Sequence, residues 1–273
     1  MTSRSPIPRR TVLGAAGLGV VVTFVAACSG EQSPEGAAAT TEDSDPTEAP
    51  ETAADTASPT SGVDAPQTIV ATSVVGKLSV FTAPDDPDIL GQPGSPEQVL
   101  DRSERVTGQL VLLALDVGAA WTHVQLPIRP NGSTGWVRSS EVSLSGHNFS
   151  IDVDLAGHEI VVINGGQEVL RSPIGVGRAD RPTPGGDYFI TELLQPPEPD
   201  GLYGPYAYGL SGYSDVLMDF KGGEGVIGIH GTNEPDLVGS DVSSGCIRLP
   251  NAEITALVDT IGVPLGTPVT IRA

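Results

Sequence analysis

Two segments near the carboxyl end carry the residue types that acyl transfer through a thiol requires. Ile229-His230-Gly231-Thr232 comes first, and twelve residues separate His230 from Ser243-Ser244-Gly245-Cys246-Ile247-Arg248. The chain has two cysteines, and Cys28 lies where export machinery would modify it, which leaves Cys246 with no disulfide partner. A thiol attacks as its thiolate, so it needs a base or a positive neighbour. His230 can be that base if folding brings the two segments together. Gly231 lets backbone approach closely, and a carbonyl there would orient the imidazole. Gly245 permits a sharp turn that exposes the sulfur, with backbone N–H groups around it as oxyanion donors. Arg248 shares a face with Cys246 if the segment is extended. From that face it could pair with a substrate carboxylate or favour the thiolate, and Ser243 and Ser244 could donate hydrogen bonds to either. An inert buried cysteine is the plain alternative, since free thiols favour cores. A catalytic zinc wants three protein ligands, and beyond Cys246 and His230 no spaced pair presents itself. No metal and no cofactor is expected.

The elements that must position these residues read as mostly β. Gly and Pro are abundant, at 34 and 24 residues, while apolar runs are short and broken by turns. One unit is expected over 68–144. It has a buried strand at Leu110–Leu115, an alternating strand placing Trp121, His123 and Gln125 on one face, a turn at Pro130–Thr134, and a strand from Gly135 to Arg138. This tryptophan strand, turn and Gly-Trp-Val strand resemble a small SH3-like β-barrel. His123 reads as a half-exposed strand residue, and the unit as either a wall-binding module or a spacer.

A second unit is expected over 145–273. Ile151–Leu155 alternates with its aspartates outward. Glu159–Ile163, Asn164-Gly165-Gly166 and Gln167–Leu170 form a hairpin with the turn residues it needs. Gly225–His230 is a short strand ending in the candidate base. Asn251 is placed to cap a short helix with Ile254, Leu257, Val258 and Ile261 on one face, and Thr267–Arg272 closes the fold.

The paired segments resemble the catalytic signature of the L,D-transpeptidases of the YkuD type: His-Gly-Thr-Asn, a gap, then Ser-x-Gly-Cys-Ile-Arg. Gly175-Val176-Gly177 leading into Pro182-Thr183-Pro184-Gly185-Gly186-Asp187-Tyr188-Phe189 is similar to the family's Thr-Pro-x-Gly-x-Phe segment. Gly204-Pro205-Tyr206 and Gly228–Thr232 are similar to segments lining its cleft. The resemblance covers His147 to Ala273 and implies an L,D-transpeptidase-type β-sandwich with one or two short helices. It further implies that Cys246 attacks a peptidoglycan tetrapeptide stem, releases the terminal D-alanine, and passes the acyl group to an amine of a neighbouring stem. His230 would be the proton donor and acceptor, Gly245 the glycine preceding the nucleophile, and Arg248, Gly231, Thr232 and Tyr206 substrate contacts. Many members carry a histidine where this chain has Ser244, so no second imidazole is available. The alternatives are an L,D-carboxypeptidase, in which water resolves the acyl-enzyme, and a wall-binding lipoprotein with a decayed site. Tyr203, Tyr206 and Tyr208 read equally as a mobile lid or as ordinary loop packing.

The amino-terminal end reads as an address. Arg4, Arg9 and Arg10 precede an apolar run, and Val25-Ala26-Ala27-Cys28 has the small residues of bacterial lipoprotein processing. Residues 1–27 are expected to be a signal peptide and Cys28 a lipidation site. Two acyl chains at about 0.8 kcal/mol per buried methylene would then anchor the chain stably. The lipoprotein front and small β unit also look like an arrangement found in actinobacterial members of the family. Residues 28–67 follow as an acidic linker with nine carboxylates and no Lys or Arg, a composition that builds no core. It reads as reach away from the membrane, or as a plain spacer. Losing the three signal arginines would take the formal charge from −20 to −23. Such a surface excludes nucleic acid as a partner and leaves any membrane contact to the acyl chains. A monomer on the outer face of a bacterial cell membrane, acting on peptidoglycan stem peptides, is the expected state.

Overall fold

The computed structural model describes residues 67–84, 99–218 and 224–273; the expected signal peptide, Cys28 and residues 28–66 of the linker lie outside them. Strands dominate, and most of them belong to two sheets with separate cores.

The first sheet is built from β1 (Thr68–Ser73), β4 (Val111–Val117), β5 (Trp121–Gln125), β6 (Thr134–Arg138) and β7 (Val142–His147), in the order β6-β5-β4-β1-β7. A small pair, β2 (Lys77–Ser79) with β3 (Val99–Asp101), lies beside it. Ala71, Leu78, Leu112, Val124 and Val137 are fully buried at its centre. The expected buried strand holds only in its first half: Leu110, Val111 and Leu112 are buried, whereas Leu115 is 49% exposed. Trp121 and His123 share the outer face of β5, and His123 stacks on Trp136 with ring centroids 4.7 Å apart. Gln125 is buried, and its Nε2 donates to the Asp187 carbonyl of the second sheet at 2.7 Å. β7 also runs past the expected boundary at Leu144, since it pairs with β1 as far as Thr68 opposite His147.

The second sheet has eight strands in the order β10-β9-β8-β17-β12-β13-β14-β16. These are β8 (Phe149–Asp154), β9 (Glu159–Asn164), β10 (Gln167–Pro173), β12 (Gly186–Leu194), β13 (Ala207–Tyr213), β14 (Val226–His230), β16 (Ile247–Arg248) and β17 (Pro268–Arg272). Asn164 pairs with Gln167, so Gly165 and Gly166 form a two-residue turn; both have positive φ (58° and 78°), which glycine tolerates without strain. β12 pairs with β17 through Phe189 and with β13 from Ile190 onward, with a register shift between Ile190 and Glu192. That one strand serves both halves, so the two layers are parts of a single curled sheet. They close on a shared core of Ile151, Val162, Ile190, Tyr208, Ile229, Ile247 and Val269.

The expected helix is α1 (Asn251–Thr255), continued by a wider turn over Ala256–Ile261. Ile254 and Leu257 are fully buried, and Val258 and Ile261 pack against the same core. Asn251 does not cap it. Pro250 occupies the N-cap, and the Asn251 side chain turns instead toward Thr232.

Candidate active site

β14 and β16 are parallel neighbours at one edge of the second sheet, with Ile229 opposite Ile247 and His230 opposite Arg248. Residues paired across a ladder share a face, and successive residues alternate. Ile229, Ile247 and Leu249 therefore enter the core, each no more than 1% exposed. His230, Cys246 and Arg248 fall on the other face, where all three line one cavity of about 60 Å³. The two motif segments are brought together because the apolar residues interleaved with the polar ones have a single core to enter.

The turn carrying the sulfur is fixed from inside. Ser243 is buried; its hydroxyl donates to the Cys246 carbonyl at 2.6 Å and accepts from the Gly245 N–H at 3.0 Å. Gly245 sits at φ 117°, a conformation that side chains disfavour. Its N–H is thus committed to Ser243 and is not a free oxyanion donor. Ser243 likewise holds the turn rather than presenting a hydroxyl to the sulfur. Ser244 lines the cavity and accepts from Arg181 Nη1 at 3.3 Å. Beneath the turn, β11 (Val176–Gly177) pairs with β15 (Asp241–Ser243), and the Gly177 N–H donates to Thr183 Oγ1 at 2.8 Å. A Cβ on Gly177 would overlap the backbone of Arg181 and Thr183. The Gly175–Thr183 motif is therefore a cradle for the cysteine loop.

His230 is 3% exposed, and its Nδ1 lies 2.6 Å from the Gly231 carbonyl. A carbonyl only accepts, so Nδ1 carries the proton and Nε2 keeps its lone pair. Burial pushes the imidazole down to about 4, against the pull of that hydrogen bond and with Arg248 adding to the fall. Burial also pushes the Cys246 thiol above its usual value, opposed by a hydrogen bond from the Gly228 backbone and by the charge of Arg248. Both shifts favour the neutral forms, a thiol and an imidazole able to act as the expected base. Both groups are taken out of water, and neither ion is compensated enough to form at rest.

Gly231 and Thr232 do not line the cavity. A Cβ on Gly231 would overlap Asn251 Oδ1 and come within 2.9 Å of Gly204 Cα. Asn251 Oδ1 accepts the Thr232 N–H at 2.8 Å, and Thr232 Oγ1 accepts the Glu234 N–H at 3.0 Å. Both residues hold the histidine segment in place. Tyr206 also lies away from the cavity, with its hydroxyl donating to Asp259 Oδ1 at 3.0 Å. Its neighbour Tyr203 is the aromatic of the site. Its ring lies edge-on to His230 at 4.9 Å; burial raises its phenol, with Cys246 adding to the rise and Arg248 opposing it. Tyr208 is core, its hydroxyl donating to the Val263 carbonyl.

Arg248 is not free. Its Nη1 donates to Glu234 Oε2 at 2.7 Å, while its buried Nε has no hydrogen-bond partner. Leu202, Ser214, Leu217, Gly225, Val226 and Ile227 complete the cavity. Sequence reasoning passed over these six, because nothing in their own types marks them as a wall. Among the described residues, no three His, Cys, Asp or Glu side chains converge as a metal site would require.

Residues 148–271 match the family profile of the L,D-transpeptidase catalytic domain of the YkuD type. The YkuD protein of Bacillus licheniformis, which carries the L,D-transpeptidase name, is 34% identical over 123 residues. That alignment covers 45% of this chain and 65% of the relative, so the chain spans somewhat under two thirds of that protein's length. YqjB of Bacillus subtilis, named in the same way, is 37% identical over 36% of this chain and 56% of its own. Among solved structures, an L,D-transpeptidase from Mycobacterium smegmatis is similar over 60% of this chain and 90% of its own, at 18% identity and a TM-score of 0.38.

Proposed function

We propose that this chain is a peptidoglycan L,D-transpeptidase with Cys246 as nucleophile and His230 as proton donor and acceptor. The observation that carries the reading is the shared face of β14 and β16, where sulfur, imidazole and guanidinium meet at one cavity. The family match of the domain agrees with it.

The cavity is small beside the roughly 300–1,000 Å³ of pockets that enclose whole ligands. A stem peptide would therefore lie across the mouth with only the reacting carbonyl inside. As the sulfur bonds to that carbonyl, the thiol proton passes to His230 Nε2, and the oxyanion faces backbone N–H groups of the turn other than that of Gly245. The imidazolium then gives its proton to the leaving amine of D-alanine, which frees the thioester. An amine of a neighbouring stem attacks the thioester, loses its proton to His230, and restores the thiol as the cross-link forms. Arg248 carries a positive charge beside this centre, and a substrate carboxylate would compete with Glu234 for it. Lipid anchorage through Cys28, the outer membrane face as location and the monomeric state complete the proposal; they rest on the amino-terminal sequence and composition.

The test is acylation followed by product analysis. Incubation with a carbapenem should add one adduct mass, located to Cys246, which Cys246→Ala abolishes and His230→Ala slows by about a hundredfold or more. Tetrapeptide stems should yield cross-linked dimers. Trimmed monomers alone would replace the proposal with an L,D-carboxypeptidase, and no adduct on the wild type would leave only wall association.

A further inference from the structure

Part of the cavity wall belongs to the second sheet in sequence, yet a connection of the first sheet holds it. Arg129 lies in the connection between β5 and β6, and its guanidinium reaches three backbone carbonyls of the segments that follow β13 and precede β14. Nη1 donates to the Ser214 carbonyl at 2.9 Å; Nη2 donates to those of Leu217 at 3.1 Å and Glu224 at 2.9 Å. The same guanidinium lies over the Tyr213 ring, 4.9 Å from its centre. Two residues on, Asn131 takes the place of a strand partner. Its Nδ2 donates to the Tyr213 carbonyl at 2.8 Å and its Oδ1 accepts the Tyr213 N–H at 2.9 Å. The Tyr213 hydroxyl closes the contact by donating to the Pro127 carbonyl at 2.7 Å.

These contacts converge on the neck of the wall. The Ser214 N–H donates to the Gly225 carbonyl at 2.8 Å, and the Ser214 hydroxyl accepts the Leu217 N–H at 3.1 Å. A Cβ on Gly225 would overlap the Leu217 carbonyl, so the two limbs touch backbone to backbone. Ser214, Leu217, Gly225 and Val226 all face the cavity that holds Cys246. The planar guanidinium spans three carbonyls from two segments at once, whereas a lysine ammonium has three donors on a single nitrogen without that fork and would hold them less well.

We infer that Arg129 is a positioning residue for substrate: from the first sheet it holds the Ser214–Leu217 and Glu224–Val226 wall at the spacing the donor peptide needs, leaving the reactivity of the thiol to the second sheet. The inference rests on the proposed reaction for its substrate and on geometry alone for its mechanical part.

The test compares Arg129→Ala and Arg129→Lys with the wild type by amide hydrogen exchange, by iodoacetamide alkylation of Cys246, and by steady-state turnover of tetrapeptide stems. In Arg129→Ala, exchange at 214–217 and 224–225 should rise about tenfold or more while residues 227–230 of β14 and β16 stay protected. Alkylation should stay within about twofold of the wild type, and kcat/KM for the stem should fall by about tenfold or more, chiefly through KM. Arg129→Lys should fall between the two and guards against a misfolded alanine variant. Unchanged exchange would overturn the inference whatever the activity, and so would loosened exchange with unchanged KM. A wild type that turns over no stem would sink the proposed reaction instead, and the exchange result would still decide whether Arg129 holds the wall.

Discussion

At the scale of single residues, the thiol and the imidazole are both neutral at rest, because burial acts on each against its charged form. Alkylation of Cys246 by iodoacetamide should therefore show one rise, above the ordinary thiol range of about 8.5, with no reactive plateau below pH 6. A plateau at low pH would reveal a preformed ion pair instead. Tyr203 and Tyr206 separate by the same reasoning. Tyr203→Ala removes the ring held edge-on to His230, a contact of about 1 kcal/mol, and should slow acylation roughly fivefold. Tyr206→Phe loses only an outward bond to Asp259 and should leave the rate within about twofold. The resemblance singles out Tyr206 as the substrate contact, yet Tyr203 is the one at the cavity, since three residues apart in a Gly/Pro-punctuated stretch no periodicity says which tyrosine turns inward.

At the scale of elements, the strand carrying His230 is held by packing that tolerates no added carbon. Gly231 and Gly204 meet backbone to backbone under the Asn251 side chain. Gly231→Ala should cost about 1–3 kcal/mol by overpacking and shift the histidine, seen as a lowered melting temperature together with slower acylation. An unchanged melting temperature would mean that this contact gives way easily. Part of the strand set, though not β1, β12 or β13, was legible: Ile151 to Asp154 from alternation, the hairpin from its Gly-Gly turn, and the short strand ending in His230. Asn251 was not, because an asparagine before an apolar-periodic segment signals a cap, and the same amide serves equally well to hold a distant N–H. The burial of Gln125 was not legible either, because alternation gives the face a residue is on and not the second sheet that covers it.

At the scale of the whole molecule, a histidine buried neutral makes stability depend on acidity. The folded value near 4 lies below the unfolded 6.5, so the unfolded chain binds the extra proton first. This contribution is complete above pH 6.5 and drains away as pH falls toward 4, amounting to about 3 kcal/mol in all. His147, also depressed by burial, adds in the same direction. Urea unfolding at stepped pH should show this loss, and His230→Gln should flatten the slope between pH 6.5 and 4; an equally steep slope in that variant would assign the loss to other groups. Among the described residues no helix is long and apolar enough to cross a membrane.

The sequence alone placed a thiol, an imidazole and a guanidinium at that spacing, since these are covalent facts, and it marked those strands whose alternation or turn signal is local. Tertiary structure decided the rest: which tyrosine faces the histidine, which N–H groups the serine turn consumes, and that an arginine from the first sheet braces the wall of a cavity in the second. Each of these depends on what lies beside a residue after folding, and burial, not residue type, sets the protonation of the pair.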